Sequence, residues 1–573
     1  MKTISRNSII SLFLLTSIVS YYYSCTQLEE QQLDTPSSYP NPSLKAQPNI
    51  LWIVAEDLSS YIPAFGDSTV VTPNLDRLAK SGVCYDNFYS PHPVCAPARA
   101  SIITGMYANS IGASHMRTGP WYAGAATAET ISKYNELQPD GLEAYEAVPP
   151  AEVKMFTEYL RAAGYYCTNN SKEDYQMIKT PTAWDDSSNE AHWRNRPKDA
   201  PFFSVFNLMV THESKIWAKA NDSLLVDTNM EVPIPPYLPD TEIAKNDIRR
   251  MYSNILEMDA QVGEILHQLE SDGLLDNTIV FWYTDHGGPL PRQKRLLYES
   301  GLEVPAIVRF PNEQLAGQRD DRLISFVDLA PTMLSQAGIQ PPKHMQGQAF
   351  LGKYARQNEP EYLFAASDRF DEYTDRVRSV RDRRYKYIQY LMPEQPMYAD
   401  IAYRNQMPIM QELKRLQASG KLTPEQALWF RESKPTEELF DLENDPHELN
   451  NLAEVPKYAD KLKELRSACN EWKTALDDTG LIPEKELIAR FKPNGIQPQT
   501  AQPVIQKNDN LTAITCTTEG ASIGYKLYHK SENPDQMSWS VYTKPFAISE
   551  GQELQVIAQR MGYQLSEIEV YAL

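Results

Sequence analysis

The sequence predicts an α/β protein with a mixed, largely parallel central sheet and helices on both faces, followed by a smaller α+β subdomain and a small β-rich module. Two apolar runs carry the first part of that reading. Asn49–Ala55 (NILWIVA) and Phe202–Leu208 (FFSVFNL) lack the in-out alternation of a half-exposed strand, so each reads as a strand covered on both faces. Helical stripes separate such runs, the alternation that builds parallel sheets and places ligands beyond the strands' carboxyl ends. Composition agrees, because 573 residues at 42% hydrophobic and 23% charged supply a large core. A formal net charge of −20 repels nucleic acid, so a polyanionic substrate requires positive charge gathered in one cleft.

In chain order, Lys2 and Arg6 precede an uncharged run at 7–24 with an apolar centre, the layout of a secretory signal peptide (1–24). Ser24-Cys25 resembles a bacterial lipoprotein cleavage site, making Cys25 a candidate lipidation site at the head of a polar tether (25–47). The expected catalytic domain then spans 48–375. Its first strand is 49–55, and a helix follows with Thr72 as N-cap, Pro73 at the first helical position, Leu75, Leu78 and Ala79 as the stripe, and Gly82 as the stop. A strand-like stretch covers Val83–Tyr89, a helix 153–163, strands 165–169 and 202–208, and the longest helix 247–272. Strands at 278–283 and 304–310 complete the set. Residues 376–493 read as the α+β subdomain, with a helix near 457–476. A polar, Pro-rich linker (494–503) leads to the module at 502–573, and few contacts are expected across it. Tyr525, Tyr528, Trp539 and Tyr542 there read as packing residues rather than sugar-stacking ones. No segment after the leader is long and apolar enough to span a membrane. The six cysteines are too scattered for a disulfide scaffold and none are paired at zinc-site spacing.

One segment concentrates chemistry. His92-Pro93-Val94-Cys95-Ala96-Pro97-Ala98-Arg99 sets a thiol four residues before an arginine, just after a strand. Arginine and a helix N-terminus both favour a thiolate, so Cys95 is a candidate nucleophile, although a lone cysteine is commonly a small buried hydrophobe. C-x-P-[SA]-R followed by T-G, here Cys95, Pro97, Ala98, Arg99, Thr104 and Gly105, resembles the signature of the type I sulfatases of the alkaline phosphatase superfamily. The resemblance extends over about 48–481 and implies an alkaline-phosphatase-like fold. It further implies that a formylglycine-generating maturation enzyme oxidises Cys95 to formylglycine, whose hydrate is the nucleophile. Of its two hydroxyls, one displaces the alcohol from sulfur and the other later expels sulfate.

The resemblance also implies one Ca2+ ion, held by Glu56, Asp57, Asp285, His286 and the modified Cys95. The family has two aspartates in the first pair, so Glu56 is a departure that lengthens one ligand. Adjacent strand residues point to opposite faces, so each pair can serve one ion only where the pleat ends. An oxygen-dominated set favours calcium over zinc. No organic cofactor is expected. Around the sulfate, the family's positions match Arg99, Lys172, His212 and Lys294, with His212 and Lys294 the expected proton donors to the leaving alcohol. Asp174 stands where the family has histidine, which leaves open what orients the formylglycine hydroxyl. His115 and His92 are candidate substrate-lining residues, with loop packing as the alternative.

These residues imply an exported sulfatase, periplasmic or envelope-attached in a Gram-negative bacterium. Its substrate would be a sulfated carbohydrate, either an algal cell-wall polysaccharide, a glycosaminoglycan or their oligosaccharides. Phosphate or phosphonate ester hydrolysis on the same fold is the alternative reaction, and a glycan-binding protein with unmodified Cys95 is the alternative class.

Overall fold

Alternation along β1 (Asn49–Ala55) divides the core in two. Ile50, Trp52 and Val54 enter one apolar layer, Leu51, Ile53 and Ala55 the other, and all are buried. This computed structural model describes residues 41–42, 47–119, 127–508 and 511–572. The expected signal peptide, Cys25 and nearly all of the tether lie outside the described residues.

The nine-stranded central sheet has the order β4 (Asp186–Ser187), β3 (Tyr166–Asn170), β5 (Phe202–Leu208), β1, β6 (Thr278–Thr284), β7 (Glu303–Arg309), β2 (Val83–Tyr89), β8 (Gln318–Asp320), with β9 (Ile324–Ser325) also paired to β2. β7 runs antiparallel to both neighbours, and the other pairings are parallel. On the Trp52 face lie α2 (Cys95–Thr104), α3 (Phe156–Ala162) and α5 (Leu329–Gln336). On the Leu51 face lie α1 (Pro73–Ser81) and α4 (Glu242–Ser271). The Trp52 ring meets Phe203 and Tyr283 edge-on at 4.9 and 5.4 Å, tying β1 to the strands on either side.

α1 keeps the expected bounds but not the expected caps, and the starts of α3 and α4 differ from the sequence reading, each for an identifiable reason. Thr72 makes no side-chain cap on α1; instead the Asp259 carboxylate of α4 accepts from the Asn74 and Leu75 amides at 3.2 and 2.8 Å. Gly82 is extended rather than left-handed, and an added Cβ would sit 2.7 Å from the Val308 carbonyl oxygen, so strand approach demands this glycine. α4 begins at Glu242, before the expected 247, because Thr241 caps it by accepting from the Ala244 amide at 3.4 Å ahead of the apolar stripe. α3 begins at Phe156 rather than 153, since 153 closes a turn onto the Pro150 carbonyl.

A second, antiparallel sheet orders β10 (Leu363–Ser367), β11 (Val377–Arg381), β12 (Tyr385–Tyr390) and β13 (Glu437–Asp441). Its first strand therefore precedes residue 376. The helix α6 (Ala459–Leu476) covers it through Leu462, Leu465 and Cys469 against Val380, Tyr387 and Leu439. The C-terminal residues form a two-stranded and a four-stranded sheet, the latter centred on the strands Ser522–His529 and Gln552–Gln559. They dock on the main body rather than hanging from a linker. Met561 enters the Trp52-side layer, the Arg161 guanidinium donates to the Trp539 carbonyl at 2.6 Å, and Gly562 N–H donates to the Ile178 carbonyl at 3.0 Å. Among the described residues no helix is long and apolar enough to cross a membrane.

Candidate active site

Parallel strands end on one edge, and here four of them deliver the site. β1 leads into Glu56-Asp57, β3 toward Lys172, β5 toward His212-Glu213 and β6 into Asp285-His286. Strand geometry stops at Asp57, whose φ is 45°, and its N–H donates to Asp285 Oδ1 at 3.1 Å. The two acidic pairs are thereby locked together. Asp57, Asp285 and His286 form one group able to hold a metal ion, and Glu56, Asp57 and His212 another.

The donor atoms fit a cation. Asp57 Oδ1, Asp285 Oδ2 and His286 Nε2 are buried without a hydrogen-bond partner, a costly arrangement for polar groups unless a ligand joins them. His286 Nδ1 lies 3.0 Å from the Gly287 carbonyl and must be the N–H there, so Nε2, 3.1 Å from Asp57 Oδ1, is the atom for coordination, where an ion would replace the proton that Asp57 otherwise holds on it. Burial alone would depress the His286 pKa, but Asp285 and Asp57 raise it to about 10; the same field attracts a metal ion. Burial opposes ionisation of Asp57 too, yet Lys294, His212 and His286 hold it well below the usual carboxylate range. Glu56 points elsewhere in this arrangement, one oxygen to Arg99 and the other to Lys172.

Cys95 is the first residue of α2 and fully buried, with Val94 extended before it. Arg99, one turn on, pairs with Glu56, donates to Asn207 at 2.8 Å and lies 3.5 Å from Asp285. Lys172 joins from the β3 side, kept charged against its own burial by its ion pair with Glu56.

At the opposite corner Lys294 Nζ donates to Asp57 Oδ2 at 2.7 Å and lies 3.2 Å from Glu213 and 3.4 Å from His212 Nε2. Burial, with Lys294 nearby, lowers the His212 pKa to about 4 despite Asp57. The Lys294 ammonium can only donate, so the neutral His212 ring accepts at Nε2 and carries its proton on Nδ1, 2.9 Å from Ser214 Oγ. Lys294, buried but held charged by Asp57 and Glu213, carries the transferable proton of this corner. Arg295 fixes Glu213 with two bonds of 2.9 and 2.7 Å.

The structure thus gathers Cys95, Arg99, Lys172, His212, Lys294, Glu56, Asp57, Asp285 and His286. Asp174 sits beside them, 3.9 Å from Lys172. His92 faces away, donating from Nδ1 to the Ala366 carbonyl at 2.8 Å, and burial lowers its pKa to about 4. His115 accepts from the Arg369 amide at 3.3 Å and lines an open cleft with Arg376, Glu484 and Lys485. Three residues escaped the sequence reading. Glu213 and Arg295 were visible only as neighbours of His212 and Lys294. Arg117, two residues beyond His115, reaches Asp174 at 2.5 Å and Cys95 Sγ at 3.7 Å.

Comparison with known proteins follows the same lines. The Sulfatase family model matches residues 48–339, and the model described as N-sulphoglucosamine sulphohydrolase, C-terminal, matches 292–413. An "Ulvan-active sulfatase" of Formosa agariphila is 49% identical over 559 residues, covering 91% of each chain. A structure solved with its substrate D-glucosamine-2-N,6-O-disulfate superposes at TM-score 0.52 with 18% identity, over 76% of this chain and 100% of that one. A phosphonate monoester hydrolase of Agrobacterium radiobacter superposes at 0.51 with 17% identity, over 76% and 97%, which is a likeness of fold alone. With half the chain matched by one family model and a relative near half-identical over nine-tenths of both sequences, the protein belongs to the sulfatase family of sulfuric ester hydrolases.

Proposed function

We propose that this protein removes sulfate ester groups from ulvan or its oligosaccharides, using a nucleophile made from Cys95. The observation that carries the reading is the gathering of Arg99, Arg117, Lys172 and Lys294 around a buried Cys95 at a helix N-terminus, in a chain of net charge −20. Such a cluster answers the need for positive charge concentrated in one cleft. The substrate class is supported by the ulvan-active relative.

In this reading Arg99 and Lys172 orient the sulfate oxygens against position 95. Lys294 gives its proton to the departing sugar oxygen, with His212 Nε2, 3.4 Å from its ammonium, holding that group in place. Arg295 and Glu213 keep Lys294 in place. Asp57, Asp285 and His286, with the oxygen at position 95 and a Glu56 turned from Arg99 and Lys172, would hold one calcium ion, which when bound lowers the pKa of the attacking hydroxyl and offsets sulfate charge. Maturation of Cys95 requires a formylglycine-generating enzyme, and the leader directs export, with Cys25 as the anchor point.

The test is hydrolysis of a panel of ulvan oligosaccharides and sulfated glycosaminoglycan disaccharides, read as sulfate release, and of phosphate and phosphonate monoesters, read as release of the alcohol. Turnover on the ulvan sugars above the others is expected. Preference for a glycosaminoglycan sugar overturns the substrate, and preference for a phosphorus ester overturns the reaction.

A further inference from the structure

We propose that Arg117, clamped by Asp174, is a further catalytic residue whose guanidinium touches the side chain at position 95 and the sulfate held there. The inference rests on the reading of the site given above. In this chain Cys95 Sγ stands in for the oxygens of the modified side chain. Arg117 Nη2 lies 3.7 Å from that sulfur, and Nη1 donates to Asp174 Oδ1 at 2.5 Å. A guanidinium is a rigid planar fork, so fixing one arm on a carboxylate aims the other. Here the second arm is aimed at the reacting atom.

Asp174 suits a positioning role. It is 2% exposed, whereas the Arg117 side chain is 24% exposed and enters from the rim. A bare carboxylate beside a sulfate would repel it; paired with Arg117 and 3.9 Å from Lys172, its charge is offset. The backbone is built for this contact at a cost. Arg117, Asp174 and Gln176 are all left-handed, with φ of 57°, 54° and 58°, a conformation that L residues adopt rarely and that concentrates at functional sites. Gln176 ties the two loops together, accepting from the Arg117 amide at 2.8 Å and donating to Thr118 Oγ1 at 2.9 Å. A surface ion pair would need none of this. The arrangement answers what orients position 95 when Asp174 occupies the expected histidine position.

The test uses the full chain in matured form and, from a host without the maturation enzyme, in unmodified form, as wild type, Arg117→Met, Arg117→Lys and Asp174→Asn. With equal formylglycine content and melting temperature, Arg117→Met should lose about 10²–10³ in kcat, the scale of removing one donor to a developing charge. Added guanidinium ion should restore part of that rate, and Arg117→Lys should retain more than Arg117→Met. In the unmodified protein, calorimetric affinity for inorganic sulfate should fall about tenfold or more in Arg117→Met, as expected for a lost charge-assisted bond. Wild-type kcat and wild-type sulfate affinity in folded Arg117→Met, or in Arg117→Lys should the former not fold, overturn the proposal. If matured wild type releases no sulfate from any sugar, the proposed function fails, while the sulfate-affinity comparison still decides the role of Arg117.

Discussion

Tyr403 stands at the mouth of the site, its ring edge-on to Trp217 at 5.1 Å and 6.4 Å from the His212 ring. It is 40% exposed, although it belongs to a loop of the second subdomain. An exposed tyrosine backed by the half-buried Trp217 beside a sulfate pocket offers a face for the sugar bearing the ester. Tyr403→Ala should raise KM for a sulfated oligosaccharide by up to about tenfold and leave kcat near wild type, the range expected for one aromatic contact. Steady-state kinetics on an oligosaccharide and on a small aryl sulfate check this; an unchanged KM on both sets Tyr403 outside the subsite. Neither Tyr403 nor Arg117 was legible in the sequence, for one reason. Cys95 and Arg99 are read from a local motif, and the acidic pairs from their places after strands. Arg117 meets Asp174 across 57 residues through left-handed turns that leave no periodic trace.

Elements show the same division. Apolar runs announce β1, β5 and β6 because strands buried on both faces need continuous hydrophobicity, and the stripe of α4 is plain from Ile248 onward. The reversed direction of β7 is invisible, since a buried strand reads alike either way. Helix caps are misread where the capping group comes from elsewhere, as with Asp259 on α1, whose start at Pro73 is nonetheless as expected. Asp247 of α4 does the same for a second helix, Pro408–Ala418, accepting from the Ile409 amide at 2.7 Å. Burial raises its pKa from 3.8 to about 7, only partly offset by that bond. Between those values the folded chain keeps a proton that the unfolded chain releases, so this group's contribution to stability is present at low pH and lost as pH rises through about 7. Asp247→Asn, which keeps an acceptor without a charge, should gain in melting temperature relative to wild type between pH 5 and pH 8. A difference independent of pH would show that Asp247 ionises normally in the fold.

For the whole molecule, the sequence distinguished a catalytic body from later parts but not how closely they join. The docking of the C-terminal module depends on close backbone approach, as where Gly520 at φ 73° lies against the Ala151 carbonyl, and on a few buried groups such as Met561. A composition-based linker carries no sign of either. The negative chain and its cationic centre are reconciled by topology: parallel strands bring residues from 56 to 294 to one edge, where carboxylates and cations alternate around Cys95. The central claim is that this edge works through an oxygen nucleophile made from Cys95. The most direct measurement is mass spectrometry of the tryptic peptide 81–99 from preparations matured to different extents, alongside their sulfate release. The account predicts an aldehyde or its hydrate at position 95, an intact thiol at Cys84, and turnover proportional to the modified fraction. Full turnover in protein whose Cys95 remains a thiol would contradict it.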